Sequence, residues 1–192
     1  MQVSIQRVSE AAFLGHPLPP GEDPGLEATA YFDPPSSAFG YGTVVAQVEV
    51  DPRSGEFALQ RYILVHDCGT QVNPMIVEGQ VQGAVAQGIP AALFEELVYD
   101  RETGQLVNGT MVDYFMPTAA DLPAFELDHL ETPSPVTPFG IKGVGEGGTI
   151  AAAAAITNAV CDALAPFGVE LDRLPITAES IWRALADARA RG

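Results

Sequence analysis

From Tyr41 to Val50 polar and apolar positions alternate, with Val44, Ala46, Val48 and Val50 on one face and Thr43, Val45, Gln47 and Glu49 on the other. That period of two predicts a half-buried strand. Asp51-Pro52-Arg53-Ser54-Gly55 offers a proline for the first turn position and a glycine for a positive φ, and Phe57 to Asp67 returns as a more apolar strand, completing a hairpin. After Asn73-Pro74 the pattern becomes helical up to about Gly88, with Met75, Ile76, Val81 and Val85 among small residues and Pro90 ending or kinking the helix. A second hairpin is expected from Leu93 to Tyr99, the turn Asp100 to Gly104, and Gln105 to Met116, followed by a short strand, Phe125 to Leu130. A Pro-rich stretch, Thr132 to Pro138, leads through the glycine-dense Phe139 to Gly148 into an Ala-rich helix, Thr149 to Ala165, closed by Pro166 and Gly168. The last helix runs from about Ala178 to Arg189, with Thr177 as N-cap, Glu179 in the first turn and Ile176 stapling against Ile181. Residues 1–38, where Pro17, Pro19, Pro20, Pro24, Pro34 and Pro35 cluster, read as an extended, loop-rich lead-in making few contacts, and residues 39–192 as the domain. No internal repeat emerges. The sum is an α+β fold of β-hairpins with separate helices.

Composition narrows the partners. A chain of 192 residues can bury roughly 70% of its unfolded surface, and 47% hydrophobic against 18% charged residues excludes a disordered chain. Nine basic against 25 acidic residues give a formal charge of −16, so nothing neutralises the phosphates of a nucleic acid or an anionic membrane. The N-terminal MQVSIQRVSEAAF has neither a secretion signal nor an Arg-rich presequence, which makes the cytoplasm the expected location. The most apolar run, Ile150 to Ala165, is broken by Thr157, Asn158 and Asp162, too short for a membrane span. Cys68 and Cys161 lie too far apart in sequence to suggest a disulfide framework or a thiolate cluster and read as buried thiols; His16, His66 and His129 are isolated, so no protein-ligated metal is expected.

Two segments could carry chemistry. Gly143-Val144-Gly145-Glu146-Gly147-Gly148 satisfies G-x-G-x-x-G, but no buried strand precedes it, so a dinucleotide-binding turn is rejected; no Gly-Lys-Ser/Thr follows, so a phosphate loop is rejected too. The glycines let the backbone approach something closely and present one carboxylate, Glu146, ahead of a helix. Glu146 reads either as a base or anionic anchor, or as a first-turn cap. Lys142, the only lysine, could pair with it, neutralise a cofactor phosphate, or lie exposed. The second segment places Gln80, Ala84 and Gln87 on one helix face, with Gly79 and Gly83 removing bulk alongside. Each amide offers a donor and an acceptor to a heterocycle edge; equally, the small residues could serve close packing while the glutamines are solvated. Asp67-Cys68-Gly69 reads as a turn with a buried thiol, since no activating base can be assigned to Cys68, and His66 alternates to the side opposite Asp67.

VHDCGTQVNPMIVEGQVQGAVAQG, YDRETGQLVNGTMVDYFMPTAADLP and GIKGVGEGGTIAAAAAITNAVCDAL together resemble the C-terminal molybdopterin-binding region of the molybdenum hydroxylase large subunits, the family of xanthine dehydrogenases, aldehyde oxidases and aerobic carbon monoxide dehydrogenases. The resemblance runs from about Ala28 to the C-terminus. It implies a molybdenum held by the dithiolene of molybdopterin, with the cytosine dinucleotide among its forms, and not by side chains. By resemblance Glu146 matches the family's catalytic glutamate, a general base toward a hydroxyl at the metal, and Gln80 a glutamine that hydrogen-bonds the pterin. Gln87, Lys142, Gly143, Gly145 and Gly147 lie in matching segments and are carried as cofactor-binding candidates. Family large subunits are several times longer, so the resemblance further implies partners: the N-terminal half of the molybdenum subunit, an iron–sulfur subunit with 2Fe-2S clusters and an FAD subunit, acting on an aldehyde, an N-heterocycle or a similar small molecule. The competing reading is a non-catalytic assembly or interaction module, or the remnant of a truncated large subunit.

Overall fold

The computed structural model describes residues 2–14, 18 and 20–191, which fall into two units, Met1–Pro34 and Pro35–Gly192. His16, Pro17 and Pro19 lie outside the described residues. In the first unit, helix α1 (Ile5–Phe13) corrects the expectation of an extended lead-in. Ser4 caps it, its hydroxyl accepting the Arg7 N–H at 3.4 Å, and Gly25 N–H donates to Ala12 O at 3.0 Å. The signal was present: Ser4 followed by Ile5, Val8 and Ala12 at one- and two-turn spacing, overshadowed by the prolines beyond. No residue of α1 is buried.

The second unit is built on a mixed sheet. Strands β1 (Tyr41–Val50) and β2 (Phe57–Asp67) pair antiparallel from Tyr41↔Asp67 to Val50↔Phe57, and β3 (Phe125–Leu130) lies parallel to β2 on its other side. The turn between β1 and β2 is closed by Gly55 N–H on Asp51 O at 2.8 Å, with Gly55 at φ 78°. The β1 alternation is realised as read, with Val44, Ala46, Val48 and Val50 against the core. On β2 a bulge intervenes: Gln47 opposes Arg61 whereas Val48 opposes Leu59, leaving Gln60 unpaired. This extra residue changes the phase, so Phe57 and Leu59 before it and Tyr62 and Leu64 after it all turn inward.

Helix α2 (Pro74–Leu93) packs with α3 (Ala152–Leu164) over the inner face of the sheet, where Val81, Val85 and Ile89 meet Ile156, Val160 and Leu164 above Tyr62 and Leu64. Asn73 caps α2 through its side chain at 3.3 Å from Ile76 N. The helix does not stop before Pro90 but carries it inside. Burial of Ile89, Pro90, Ala92 and Leu93 outweighs the lost N–H, and Phe94 and Glu95 both donate to Pro90 O. Because Leu93 belongs to α2, the expected second hairpin shrinks to an isolated pair, Tyr99↔Leu106, flanking the Asp100 to Gly104 turn. Asn108 replaces the ladder there, accepting the Val98 N–H at 2.8 Å and donating to Glu96 O. A 3₁₀ turn and Gly168 at φ 64° end α3. Helix α4 (Ala178–Arg191) starts from a reciprocal cap, Ser180 N–H on Thr177 Oγ1 at 3.1 Å and Thr177 N–H on Ser180 Oγ at 3.0 Å, with Ile176 and Ile181 both fully buried.

Cys68 is buried, and burial pushes its thiol pKa up; Cys161 is only half-buried, its sulfur accepting the Leu171 N–H at 3.4 Å. Among the described residues no helix is long and apolar enough to cross a membrane. The α3 approach meets α2 in close contact: a Cβ at Gly148 would stand 2.7 Å from Val81 O and 2.9 Å from Val85 N. Gly148→Ala is therefore expected to destabilise the chain by roughly 1–3 kcal/mol, read as a lower urea midpoint at unchanged slope.

Candidate functional site around the glycine-rich loop

Between Gly140 and Thr149 the chain is held against several other segments, mostly through its backbone. Gly140 O accepts N–H groups from Thr70 at 3.3 Å and Ser134 at 2.9 Å, Lys142 N–H donates to Cys68 O at 2.8 Å, and Gly143 N–H donates to Ala38 O at 3.0 Å. On the far side Thr149 Oγ1 donates to Ala84 O at 2.9 Å, and the Thr149 and Ile150 N–H groups converge on Glu146 O. Gln80 closes the circle: its Nε2 donates to Gly145 O at 2.8 Å.

Lys142 is neither exposed nor paired with Glu146. Its Nζ lies 3.1 Å from Asp67 Oδ1, and the side chains of Lys142 and Asp67 are only 9% and 1% exposed. The Tyr41 ring flanks the ammonium at 4.5 Å. Burial alone would raise the Asp67 carboxyl, but Thr132, the Gly69 N–H at 2.8 Å and Lys142 together overcome it and hold the group well below the usual carboxylate range. Thr132 acts by proximity: Asp67 Oδ2 has no partner of hydrogen-bonding geometry. Sequence spacing gave no sign of this pair, because its members stand 75 residues apart. His66 and His129 are likewise register partners across β2 and β3. Burial, reinforced by His129 and opposed by Asp67, holds His66 below its ordinary value. Among the described residues no three His, Cys, Asp or Glu side chains gather into a metal site.

Glu146 stands exposed at the loop's outer end. Among the described residues its carboxylate meets no hydrogen-bond or ion-pair partner, and α3 begins six residues later behind Ala151, which makes no side-chain cap. The capping role is thus not observed. A recess of about 250 Å³ opens beside it, lined by Gly40, Tyr41, His66, Asp67, Gly143 to Gly147 and Ile150 among others. A larger cleft of about 760 Å³, bordered by Cys161, Asp162, Glu170, Asp187 and Arg191, is remote from all of these groups.

The glycines sort into two kinds. Gly40, Gly88 and Gly148 lack a Cβ because backbone or side-chain atoms occupy its place, and Gly55, Gly69 and Gly140 adopt positive φ. Gly79, Gly83 and Gly145 have neither reason: nothing lies within 4 Å of the missing Cβ. At Gly143 and Gly147 the nearest atoms are at 3.7 and 3.9 Å. The two readings of the α2 face are therefore divided by position. Ala84 and Gly88 serve close packing, whereas Gly79 and Gly83, beside the exposed Gln80 and Gln87, border open space.

Residues 1–123 match the family described as the molybdopterin cofactor-binding domain. The chain belongs to that family. Matches to relatives extend beyond residue 123 over nearly the whole sequence. The carbon monoxide dehydrogenase large chain of Hydrogenophaga pseudoflava is 40% identical over 172 residues, covering 90% of this chain and 21% of that protein. The nicotine 6-hydroxylase large subunit of Paenarthrobacter nicotinovorans is 45% identical over 184 residues, 95% of this chain and 22% of that one. The solved structure of reconstituted CO dehydrogenase from Oligotropha carboxidovorans superimposes with a TM-score of 0.83 at 33% identity, covering 99% of this chain and 23% of the other. This molybdopterin cofactor-binding domain chain thus spans between a fifth and a quarter of the length of the relatives it matches. The α+β architecture is the one found in that structural neighbour.

The residues fit such a cofactor. Glycine positions left unfilled by the chain's own atoms leave room for a flat ring close to backbone, and the exposed amides of Gln80 and Gln87 on α2 would offer donors and acceptors to its edge.

Asp67 sets an acid limit on stability. Its folded-state pKa lies below the ordinary 3.8, so the stabilisation is complete above that value and is lost as pH falls through the depressed one. Acid unfolding followed by circular dichroism should show this loss only at pH below about 4, and Asp67→Asn should remove that part of the pH dependence.

Proposed function

We propose that this chain forms one wall of the molybdopterin site in a molybdenum hydroxylase large subunit and supplies Glu146 as its general base. The observation that carries the reading is the unpaired Glu146 carboxylate, held at the end of a loop whose glycines leave open room beside it. When bound, the cofactor supplies the redox chemistry of hydroxylation. Glu146 Oε takes up the proton released in that reaction, and its exposure on a recess edge leaves it free to reach a substrate group. Gln80, with one N–H of Nε2 on Gly145 O, retains Oε1 as acceptor for a pterin N–H. Gln87 offers a second amide two turns along α2, and Gly143, Gly145 and Gly147 let the ligand approach backbone. Lys142, its ammonium held by Asp67, supports this wall from behind.

The remaining walls belong to the preceding part of a large subunit. Val72, Met75 and Ile76 at the start of α2, and Met111, Val112, Phe115 and Met116 in the segment after the Asp100 turn, expose large apolar side chains suited to it. The complex is assigned iron–sulfur and FAD subunits as electron acceptors, an aldehyde, N-heterocycle or similar small substrate, the cytosine dinucleotide as one form of the cofactor, and a cytoplasmic location.

Glu146→Gln tests the base. In the complex assembled with the preceding large-subunit part, with aldehydes and N-heterocycles as substrates and an artificial electron acceptor, molybdenum content should stay normal while the rate falls by at least roughly 10²-fold. Turnover at the wild-type rate would leave a non-catalytic module. Gly83→Ala tests the groove. In the chain alone it should stabilise by roughly 0.5–1 kcal/mol, since the helix gains a methyl group with nothing against it; in the assembled complex it should lower cofactor content, measured as molybdenum per chain.

A further inference from the structure

We propose that the buried Asp67–Lys142 ion pair is a positioning device for the loop that bears Glu146, fixing where that loop leaves the sheet and hence where the carboxylate stands. The inference rests on the reading of Glu146 as the base. Four observations lead to it. First, a chain with 25 acidic and nine basic residues places its only lysine inside, on a single carboxylate. Desolvation largely cancels the Coulomb gain of a buried pair, so stability alone would be served as well by two apolar side chains. What a charge-assisted hydrogen bond adds is a fixed direction and distance.

Second, Asp67 is itself immobilised. It ends β2 opposite Tyr41, and the same Oδ1 that binds Lys142 at 3.1 Å accepts the Gly69 N–H at 2.8 Å. Third, Lys142 is the last charged anchor before Glu146; beyond it only Val144, partly buried, packs against the core. Of the three residues between Lys142 and Glu146, two are glycines, and among the described residues the N–H groups of Val144, Gly145 and Glu146 make no backbone hydrogen bond. Backbone freedom is greatest where an active carboxylate would need least of it. Fourth, on the far side Glu146 O accepts the Thr149 and Ile150 N–H groups, which are bonds within the loop itself, and the side-chain bond nearest Glu146, Gln80 on Gly145 O at 2.8 Å, is an exposed neutral one of the amide proposed to serve the cofactor. Of the side-chain contacts that hold the loop, Lys142 makes the charge-assisted one, and it does not depend on a ligand. It acts through Glu146 and is a positioning residue.

The experiment is amide ¹⁵N relaxation on the full chain, with Asp67→Asn/Lys142→Met as the decisive variant, since removing both charges leaves no uncompensated ion in the core. In the unmodified chain the Gly145 and Glu146 amides should have order parameters near 0.85, and in the double variant they should fall below roughly 0.6 while those of β2 and α2 do not change. Lys142→Arg, which keeps a cation for Asp67, should retain the higher values. In the assembled complex the double variant should lower kcat by on the order of tenfold or more with KM little altered. Unchanged order parameters at Gly145 and Glu146, or global unfolding of the double variant, would overturn the positioning role. A failure of the base reading looks different: Glu146→Gln would turn over normally, whatever the order of the loop.

Discussion

Three stretches of backbone, distant in sequence, meet where no side-chain carbon would fit. A Cβ on Gly40 would stand 2.6 Å from Gly143 O and 2.9 Å from Asp67 O, and one on Gly148 would stand as close to the α2 backbone. Everything else about the glycine-rich loop follows from this closeness. With the strand ends, the loop and the first turns of α3 drawn together, Lys142 has nowhere to go but under the loop, and Asp67 is the acceptor waiting there. The hydrophobic core beneath, Val81 and Val85 against Ile156, could be assembled with many spacings of the two helices. The glycine contacts choose a short one.

Much of the fold was legible because local chemistry and burial agree. The β1 alternation, the Asp51 to Gly55 turn, the Thr177 cap and the burial of Ile176 and Ile181 all stand as the sequence implies. The departures come where a long-range interaction overrides a local rule. Pro90 should stop a helix, yet its burial beside Ile89 and Ala92 keeps it inside one. Residues after Leu93 alternate enough to suggest a hairpin, yet the Asn108 amide takes the hydrogen bonds that a ladder would use. The bulge at Gln60 is invisible in a single strand, because it is a property of the pairing. In the candidate site, Glu146 and Gln80 could be singled out from their neighbours, but the bond from Gln80 to the loop and the partner of Lys142 could not. Both join residues 65 or more positions apart, and nothing in composition or period encodes such a contact.

The surface has an unusual share of large apolar side chains without cover. Val112, Phe139 and Val72 are each at least 80% exposed, and they lie in segments with little regular structure. The chain matches a fifth to a quarter of its relatives' length. The function proposed for Glu146 is one that calls for an opposite wall.

The burial of the one lysine has a practical corollary for chemical labelling. Reagents that acylate side-chain amines find no exposed target on the described surface, for all its carboxylates. Modification of Lys142 requires its ammonium to leave Asp67 and lose a proton, so the rate at which such a reagent marks Lys142 itself, read by peptide mapping, is a clock for the opening of that corner, with no other lysine to obscure the count.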